Sequence, residues 1–386
     1  MASYLRFLIL ALALSSAHAA GGVGQTLPAI PSQQKAPIAL LVDVNSGQIL
    51  LERDADRRFI PASLTKVMSL YLAFELIDEE RLDPQQKLTI QPKTFDEWHD
   101  KGSRMFLPHN AHVSVDDLLM GIATVSANDG AIVLAQGGAG SIDQWVAQMN
   151  AKARDLGMKD SHFATPNGWP DEGRTYTTAR DLVTLARAIL THHPEKYARY
   201  IGQKGFEYGG IAQTNHDPMI GKVDGADGIK TGFTSEAGYG FLGSAKRGNQ
   251  RLAMVVAASN TSYSRAQAAR ELTEWGFASH VSRPLFRAGD LIGPAQVQNG
   301  SKSTVPMLAQ GPINASFPLG NSGDFKLTLR YEGPLKAPIA KGEQIAELEI
   351  KIDGIPASRV PLVTGNAVEK AGMFKRLFNG LTGIFS

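Results

Sequence analysis

The pattern of apolar and polar positions changes character twice along the chain. Near the start, two strand-like runs flank an Asn45-Ser46-Gly47 turn, which is typical of a hairpin. Apolar residues at helical spacing then dominate from about 84 to 195, before three strand-like runs and a closing helical run. The predicted elements are strands 38–44 and 48–53, helices 64–77, 115–120, 129–136, 142–156 and 179–192, strands 228–233, 239–245 and 251–258, and a helix over 263–277.

Strands at both ends of this region, with helices between them, indicate one sheet assembled from the two ends. That arrangement is an α/β fold with a helical subregion. Beyond residue 284, apolar and polar residues alternate between Pro and Gly positions, as in 325–331 and 348–352, without helical spacing. We therefore expect a small all-β sandwich domain over 284–364.

Both termini carry apolar segments of another kind. An arginine precedes eight consecutive apolar residues and an Ala17-His18-Ala19 site. This pattern predicts a signal peptide over 1–19, with a leader over 20–37, because the apolar run is too short to cross a bilayer. The alternative is a buried N-terminal helix. Over 367–386, helical spacing with basic neighbours predicts an amphipathic helix on an anionic membrane surface, or else a helix packed on the all-β domain.

Composition excludes some chemistries. The 386 residues are 43% hydrophobic and 20% charged, an ordinary balance for a globular protein of two or three domains. The net charge of +2 gives no reason to expect nucleic acid as a partner. The sequence has no cysteine, which excludes disulfides, a cysteine nucleophile and cysteine-bound zinc.

We expect no metal and no cofactor. A metallopeptidase motif of the His-Glu-x-x-His type is absent from the sequence. His192 and His193 are adjacent, so they do not share a helix face. We interpret them as a solvated loop pair.

Ser63-Leu64-Thr65-Lys66 places a hydroxyl and an amine three residues apart at the start of the first predicted helix. Residues at i and i+3 share a helix face, so Ser63 and Lys66 can act as nucleophile and base without a histidine. The spacing alone is a weak signal, because Ser32-Gln33-Gln34-Lys35 repeats it between prolines that disfavour a helix. Ser63 could instead be a helix N-cap.

Two further motifs give Ser63 a chemical setting. Ser126-Ala127-Asn128 lies between helical runs, and Lys230-Thr231-Gly232 lies on a predicted strand. In this order, on helix, loop and strand, the three motifs form the set found in penicillin-binding proteins and class A β-lactamases. Burial of Lys66 and the nearby cation of Lys230 would both favour the neutral form of the Lys66 amine. In that form the amine could take the proton of Ser63.

The remaining motif residues suit the handling of a peptide. Ser126 can pass a proton to a departing amine, and Asn128 can orient Lys66 or the substrate amide. Thr231 and Lys230 can bind a terminal carboxylate. Glycine at 232 would let a substrate backbone approach the strand.

The chain resembles the low-molecular-mass penicillin-binding proteins, specifically the serine-type D-Ala-D-Ala carboxypeptidases of the penicillin-binding protein 5 type. The resemblance extends to the segments 60–66, 102–107, 126–129, 167–169, 178–182, 223–225, 227–232 and 275–277. It implies a penicillin-recognising catalytic domain, similar to β-lactamases and transpeptidases, over 38–281. It also implies an exported enzyme at the periplasmic face of the bacterial inner membrane.

The implied activity is removal of the terminal D-Ala from peptidoglycan stem pentapeptides through an acyl-enzyme, with β-lactam antibiotics as inhibitors. By resemblance Ser63, Lys66 and Ser126 are catalytic. The residues expected to bind substrate are Asn128, Lys230, Thr231, Gly232 and Arg265, of which Arg265 could instead be a helix-surface arginine. Phe233 has no assigned role, and the segment 215–218 departs from the family pattern.

Three other functions stay open at this stage. An endopeptidase that cuts wall crosslinks would use the same acylation chemistry. A β-lactamase shares the motifs, although class A members have Asp where this chain has Ala127, and no Glu-x-x-Leu-Asn segment occurs here. A non-catalytic peptidoglycan-binding scaffold is the third, and the intact Ser63 and Lys66 argue against it.

Overall fold

The structure, a computed structural model, describes residues 27–320 and 325–372. The predicted signal peptide and most of the predicted amphipathic tail lie outside these residues and stay predictions. The described part of that tail, 367–372, is not helical, because Val368 and Lys370 form single β-bridges with Ile339 and Gly300. Within the two described ranges, no helix is both long enough and apolar enough to span a bilayer. The chain divides into two compact units. The larger comprises Leu27–Val42 and Leu50–Ala278, and the smaller comprises Asp43–Ile49 and the chain from Ser279 onward.

The elements up to residue 279 follow the predicted order, with some additions. The strands are β1 (Ile38–Asp43), β2 (Ile49–Arg53), β3 (Lys87–Thr89), β4 (His112–Ser114), β5 (Gly205–Tyr208), β6 (Ile211–Thr214), β7 (Ala226–Thr234), β8 (Gly238–Arg247) and β9 (Gln250–Ser259). The helices are α1 (Lys66–Asp78), α2 (Pro92–Trp98), α3 (Val115–Thr124), α4 (Asn128–Ala139), α5 (Ile142–Asp155), α6 (Ala179–His192), α7 (Pro194–Tyr200) and α8 (Ser262–Ser279), with a 3₁₀ turn at Ala62–Thr65 before α1.

One five-stranded sheet joins the two ends of this region, as the sequence predicts. Its strand order is β2-β1-β9-β8-β7, so the N-terminal hairpin lies beside strands from the other end. Alternate residues of β1, β8 and β9 pack against α8. Because apolar side chains leave water at this layer, each fully buried leucine or phenylalanine contributes about 1.5–3 kcal/mol. The α/β fold with a helical subregion is confirmed.

Helix α1 forms the centre of the helical subregion. Ten of its thirteen residues are buried, and it contacts α3, α4, α5 and α6. A helix that is apolar all round belongs in a core rather than on a surface. The first residue of this buried helix is Lys66, which therefore takes its amine into the interior.

The segment between α5 and α6 is not helical, although the sequence predicts mostly helix up to residue 195. Its described pairing consists of single bridges from Phe59 to Thr177 and from His162 to Tyr176. Pro166 and Pro170 lack a backbone N–H, and glycines at positive φ punctuate the segment, so a helix would be costly there. This loop supplies one wall of the site.

The structure also contains a short hairpin that the hydrophobic pattern of the sequence does not predict. Strands β5 and β6 pair in antiparallel fashion from Gly205 with Thr214 to Tyr208 with Ile211. The connecting residues Gly209 and Gly210 both have positive φ, as a two-residue hairpin turn requires. The Gly-Gly dipeptide between short alternating runs is the signal that could have identified it.

The smaller unit is all-β within its described residues. Its strands are β10 (His280–Phe286), β11 (Leu291–Gln298), β12 (Thr304–Ala309), β13 (Ile313–Pro318), β14 (Phe325–Arg330), β15 (Leu335–Lys336), β16 (Gln344–Ile352) and β17 (Ile355–Thr364). Six of them form a sheet in the order β14-β16-β17-β12-β11-β15, and β10 pairs with β13. Alternate residues of β16 such as Leu348 and Ile350 are fully buried, which explains the alternation seen in the sequence.

Candidate active site

Ser63 and Lys66 meet at the junction of the 3₁₀ turn and α1. The Lys66 Nζ lies 2.7 Å from the Ser63 Oγ. The caps of the two helical elements are Pro61 and Thr65, neither of which makes a side-chain capping bond. Ser63 is therefore not an N-cap, and its hydroxyl is directed at the amine.

The Lys66 amine has two more partners. It donates to the Asn128 Oδ1 at 2.8 Å and to the carbonyl oxygen of Asn167 at 2.7 Å. Both of these oxygens can only accept hydrogen bonds. A neutral amine has two N–H groups and one lone pair, so the two obligate acceptors use both N–H groups. The lone pair then faces Ser63, whose hydroxyl must act as the donor.

The environment favours this neutral amine. Burial lowers the pKa of Lys66 well below its ordinary value, and the cation of Lys230 lowers it further, against an opposing effect of Asp129. Lys66 has no exposed surface. An amine in this state can accept the Ser63 proton, as a general base must.

Asn128 connects Lys66 to a neighbouring loop. It is the first residue of α4, and its Nδ2 donates to the Lys101 carbonyl at 3.2 Å. Its backbone N–H donates to the Ser103 carbonyl at 2.8 Å. The side-chain bond to Lys101 fixes the amide orientation, so that Oδ1 rather than Nδ2 faces Lys66. Ser126, two residues earlier, is buried and has φ of +61°.

Asp129 holds the same loop in place. Its carboxylate accepts from the backbone N–H of Met105 at 3.0 Å and of Leu107 at 3.2 Å. Burial raises its pKa, while these N–H bonds act in the opposite direction. The segments 102–107 and 126–129 both carry the resemblance, and this carboxylate joins them.

Lys230 and Thr231 lie on β7, the last strand in the order of its sheet. Both are buried, and the Lys230 Nζ donates to the Thr231 carbonyl at 3.1 Å. Burial and the nearby Arg265 lower the pKa of Lys230 to about 7, against the opposing charge of Asp217. Lys230 thus loses its proton more readily than an exposed lysine does.

Gly232 meets a packing constraint in addition to its predicted role toward substrate, and that role stays a prediction. A Cβ on this residue would lie 2.7 Å from the Pro61 carbonyl oxygen and 3.2 Å from the Leu64 backbone nitrogen. These atoms belong to the turn that carries Ser63. Glycine is needed here because β7 passes directly against that turn.

Arg265 lies on α8 and faces the site. Its guanidinium carbon is 5.9 Å from the ring centroid of Tyr239. Burial lowers the pKa of Arg265, and the carboxylate of Asp217 partly offsets that effect. Its half-buried position beside Lys230 differs from that of a helix-surface arginine.

A cavity of about 490 Å³ brings most of the predicted residues together. Its lining comprises Ser63, Gly102, Ser103, Ser126, Asn128, Gly168, Trp169, Pro170, His216, Thr231, Gly232, Phe233, Thr234, Ser235 and Arg265. Lys66 and Lys230 are buried, and they reach the cavity wall through their contacts with Ser63 and Thr231. The arrangement offers a hydroxyl nucleophile, a buried amine base and cationic groups on one concave surface.

The chain matches two family models in sequence. Residues 25–261 match the model described as D-alanyl-D-alanine carboxypeptidase, peptidase S11. Residues 281–370 match the model for the C-terminal domain of penicillin-binding protein 5. The first of these covers more than half of the chain. The chain belongs to the D-alanyl-D-alanine carboxypeptidase family.

Individual relatives agree with this membership. The chain is 33% identical over 365 residues to D-alanyl-D-alanine carboxypeptidase DacA of Haemophilus influenzae, covering 92% of each sequence. Penicillin-binding protein 5 of Haemophilus influenzae has a similar structure, with a TM-score of 0.74, 32% identity, and 91% and 100% of the two chains covered. Penicillin-binding protein D2 of Listeria monocytogenes, solved with ampicillin bound, gives a TM-score of 0.56 and 30% identity over 63% of this chain and 97% of its own.

Membership confirms the predicted enzyme class. The protein is a D-alanyl-D-alanine carboxypeptidase, a hydrolase, and it shares the penicillin-binding protein fold with its structural neighbours. The assignment of individual roles to Ser63, Lys66, Ser126 and the substrate-binding residues stays a prediction.

Several residues of this carboxypeptidase site carry no predicted role. The Asn167 carbonyl contacts the Lys66 amine, and Trp169 and His216 line the cavity. A backbone acceptor has no residue-type signal, so no motif could have identified the Asn167 carbonyl. Burial, Lys230 and Arg265 together lower the pKa of His216.

The expectation of a solvated histidine pair is wrong for His193. This side chain is buried, with its Nε2 2.9 Å from the Glu75 Oε1 and its Nδ1 2.8 Å from the Asp78 Oδ2. His192 is exposed, and its Nδ1 lies 3.0 Å from the Tyr71 hydroxyl. Within the described ranges, no cluster of three or more His, Cys, Asp or Glu side chains is arranged to bind a metal.

Replacing Gly168 by Ala is expected to lower the stability of the protein. Gly168 has φ of +73°, and a Cβ there would lie 1.8 Å from the Ala62 carbonyl oxygen. We expect a loss of about 2 kcal/mol or more in the free energy of unfolding, measured by urea titration. Gly173→Ala is the matched control, since Gly173 has φ of +78° with no neighbour within 4 Å. Equal losses in the two variants would contradict the steric account.

Proposed function

We propose that this carboxypeptidase removes the terminal D-Ala from peptidoglycan stem pentapeptides through an acyl-enzyme on Ser63. The observation that carries the proposal is the 2.7 Å contact between the Ser63 Oγ and the amine of the fully buried Lys66. A lysine amine kept neutral by burial can activate a serine without a histidine.

The substrate binds along the outer edge of β7. Because β7 ends the order of its sheet, that edge carries backbone groups that no other strand of the sheet pairs. An extended peptide can add there as a further strand. Its terminal carboxylate then lies near Thr231, Lys230 and Arg265, where it can accept hydrogen bonds from a hydroxyl and from cationic donors.

Acylation begins when the Ser63 Oγ attacks the carbonyl carbon between the two D-Ala residues. Lys66 takes the hydroxyl proton, a C–O ester bond forms, and the oxyanion is held by backbone N–H groups of Ser63 and of β7. The C–N bond then breaks, and the departing amine receives a proton through Ser126. Water, activated by the same amine base, hydrolyses the ester and releases Ser63.

Penicillins undergo the acylation half of this reaction. A β-lactam ring presents an amide carbonyl to the same hydroxyl, and the ampicillin-bound state of the Listeria relative supports this step. Mass spectrometry after penicillin treatment should place one adduct on the peptide that contains Ser63.

Release of D-Ala from a pentapeptide, compared with cleavage of crosslinked muropeptides and hydrolysis of penicillin, separates carboxypeptidase from endopeptidase and β-lactamase. A wild-type protein that neither releases D-Ala nor carries an adduct would disprove the proposal.

We also propose that the enzyme is exported and attached to the periplasmic face of the bacterial inner membrane. The signal-peptide pattern over 1–19 and the amphipathic pattern over 367–386 support this location. A peptidoglycan substrate, which lies outside the cytoplasm, is consistent with it.

Deleting residues 373–386 is expected to release the mature protein from anionic vesicles while leaving its activity on soluble peptides intact. The cut lies beyond Ala371, whose backbone N–H donates to the Asn299 carbonyl at 2.9 Å, so the all-β unit keeps that bond. Vesicle co-sedimentation and D-Ala release measure the two effects. A truncated protein that still sediments with the vesicles would contradict the anchor.

A further inference from the structure

Ser69, a residue outside the three motifs, contacts the same loop as Lys66. It lies three residues after Lys66 on α1, so the two side chains share one helix face. The Ser69 Oγ donates to the Pro166 carbonyl at 2.6 Å, and the Lys66 Nζ donates to the Asn167 carbonyl at 2.7 Å. Two successive carbonyls of the loop are therefore held by two side chains of one helix.

Trp145 on α5 fixes the direction of the Ser69 hydroxyl. Its Nε1 donates to the Ser69 Oγ at 3.2 Å, and both side chains are fully buried. An indole N–H can only donate, so the hydroxyl accepts from Trp145 and gives its own single proton to an acceptor. The Pro166 carbonyl is the strong acceptor, because the alternative is the Met149 sulfur at 3.5 Å.

The loop is anchored on both sides of these carbonyls. On one side, Asn150 accepts from the Phe163 N–H at 2.9 Å and donates to the Phe163 carbonyl at 2.7 Å. On the other side, Gly168 packs so closely on Ala62 that no Cβ fits. Between these anchors, two side chains flank the Asn167 carbonyl: the Ser69 hydroxyl donates to the preceding carbonyl of Pro166, and the Thr165 Oγ1 accepts from the following N–H of Gly168 at 3.0 Å.

We propose that Ser69 and Trp145 are positioning residues, which hold the Asn167 carbonyl where it takes one N–H of Lys66 and so direct the amine's lone pair at Ser63. The inference rests on the proposed role of Lys66 as the base. With the carbonyl displaced, one N–H of the neutral amine loses its fixed acceptor. The amine can then rotate, and its lone pair is no longer held toward the hydroxyl.

The test separates binding from chemistry with a penicillin as the probe. Stopped-flow measurement gives the dissociation constant of the initial complex and the first-order rate of acylation. Ser69→Ala is expected to lower the acylation rate roughly tenfold to hundredfold while leaving the dissociation constant unchanged. Ser69→Thr retains a hydroxyl and should keep most of the wild-type rate. Trp145→Phe should give a smaller loss, because the bond from Ser69 to Pro166 remains.

The double variant adds a second criterion. Because Trp145 acts through Ser69, the variant with both Ser69→Ala and Trp145→Phe should acylate no more slowly than Ser69→Ala alone. Additive losses in acylation rate would overturn the proposed order of contacts. If Ser69→Ala does not fold, Trp145→Phe decides the question. An unchanged acylation rate in that variant would overturn the inference, and a lowered acylation rate with an unchanged dissociation constant would support it.

Ser259→Ala is the matched control. Ser259 is also fully buried, and its Oγ donates to the Lys35 carbonyl at the same 2.6 Å. It should lose similar thermal stability and keep the wild-type acylation rate. An equal loss of acylation in Ser259→Ala, or a wild-type rate in Ser69→Ala, overturns the inference but leaves the proposed function intact. Absence of any adduct on wild-type Ser63 would instead refute the proposed function.

Discussion

Replacing Ser63 by Ala is expected to abolish D-Ala release and penicillin labelling together. Within the described chain, the Lys66 Nζ has three hydrogen-bond partners. The Ser63 Oγ is the hydroxyl among them, and the other two are the amide oxygen of Asn128 and the carbonyl oxygen of Asn167. Without that hydroxyl the base has no nucleophile to activate. We expect a loss of about 10⁴-fold or more in the rate of D-Ala release, measured by a coupled amino-acid assay.

The chain contains its own control for this variant. Ser32 and Lys35 have the same spacing as Ser63 and Lys66, but the Lys35 Nζ is bonded to the Glu271 carboxylate at 2.6 Å. The Lys35 amine is thus directed at a carboxylate, whereas the Lys66 amine is directed at the hydroxyl of its serine. Ser32→Ala should therefore leave both activities unchanged. Retained labelling in Ser63→Ala, with the adduct mapped elsewhere, would contradict the assignment of the nucleophile.

The fold could be predicted wherever a segment buries one face or all of its surface. Helix α6 begins and ends at the predicted residues because its apolar face is strongly periodic and Thr178 caps it by accepting from the Asp181 N–H. The loop from 157 to 178 could not be predicted. It is held by side chains distant in sequence, such as Asn150 and Ser69, and a local pattern contains no information about such bonds.

The site also contains residues that the sequence could predict and others that it could not. Ser63, Lys66 and Asn128 could be proposed from motif spacing, because the chemistry needs those side chains. The Asn167 carbonyl could not, since its function depends on where the loop places a backbone oxygen. Gly232 was expected to make room for substrate. Only the packing of β7 on the turn at Pro61 reveals the atoms that a Cβ would meet.

Replacing Lys66 by Arg is expected to lower the acylation rate by roughly 10²- to 10⁴-fold, the usual contribution of a general base. A guanidinium has five N–H donors and no accessible lone pair, so it cannot take the Ser63 proton at any working pH. Lys66→Met should give a similar loss for a different reason, because it removes the base without leaving a charge. The two variants together separate loss of basicity from burial of a cation, and circular dichroism establishes that each one folds.

The pH dependence of acylation gives the sharper test of the same base. The deprotonated amine is the active form, and burial together with Lys230 lowers its pKa well below 10.5. Acylation by the wild type should therefore rise with pH through a midpoint below that value. Lys230→Gln removes the neighbouring cation, which raises the pKa of Lys66 and moves the midpoint to higher pH. A midpoint in the wild type at the ordinary lysine value would exclude Lys66 as the base, because that result requires an amine that the buried site does not perturb. A midpoint that moves to lower pH in Lys230→Gln would also exclude it, because removal of a neighbouring cation raises the pKa of an amine.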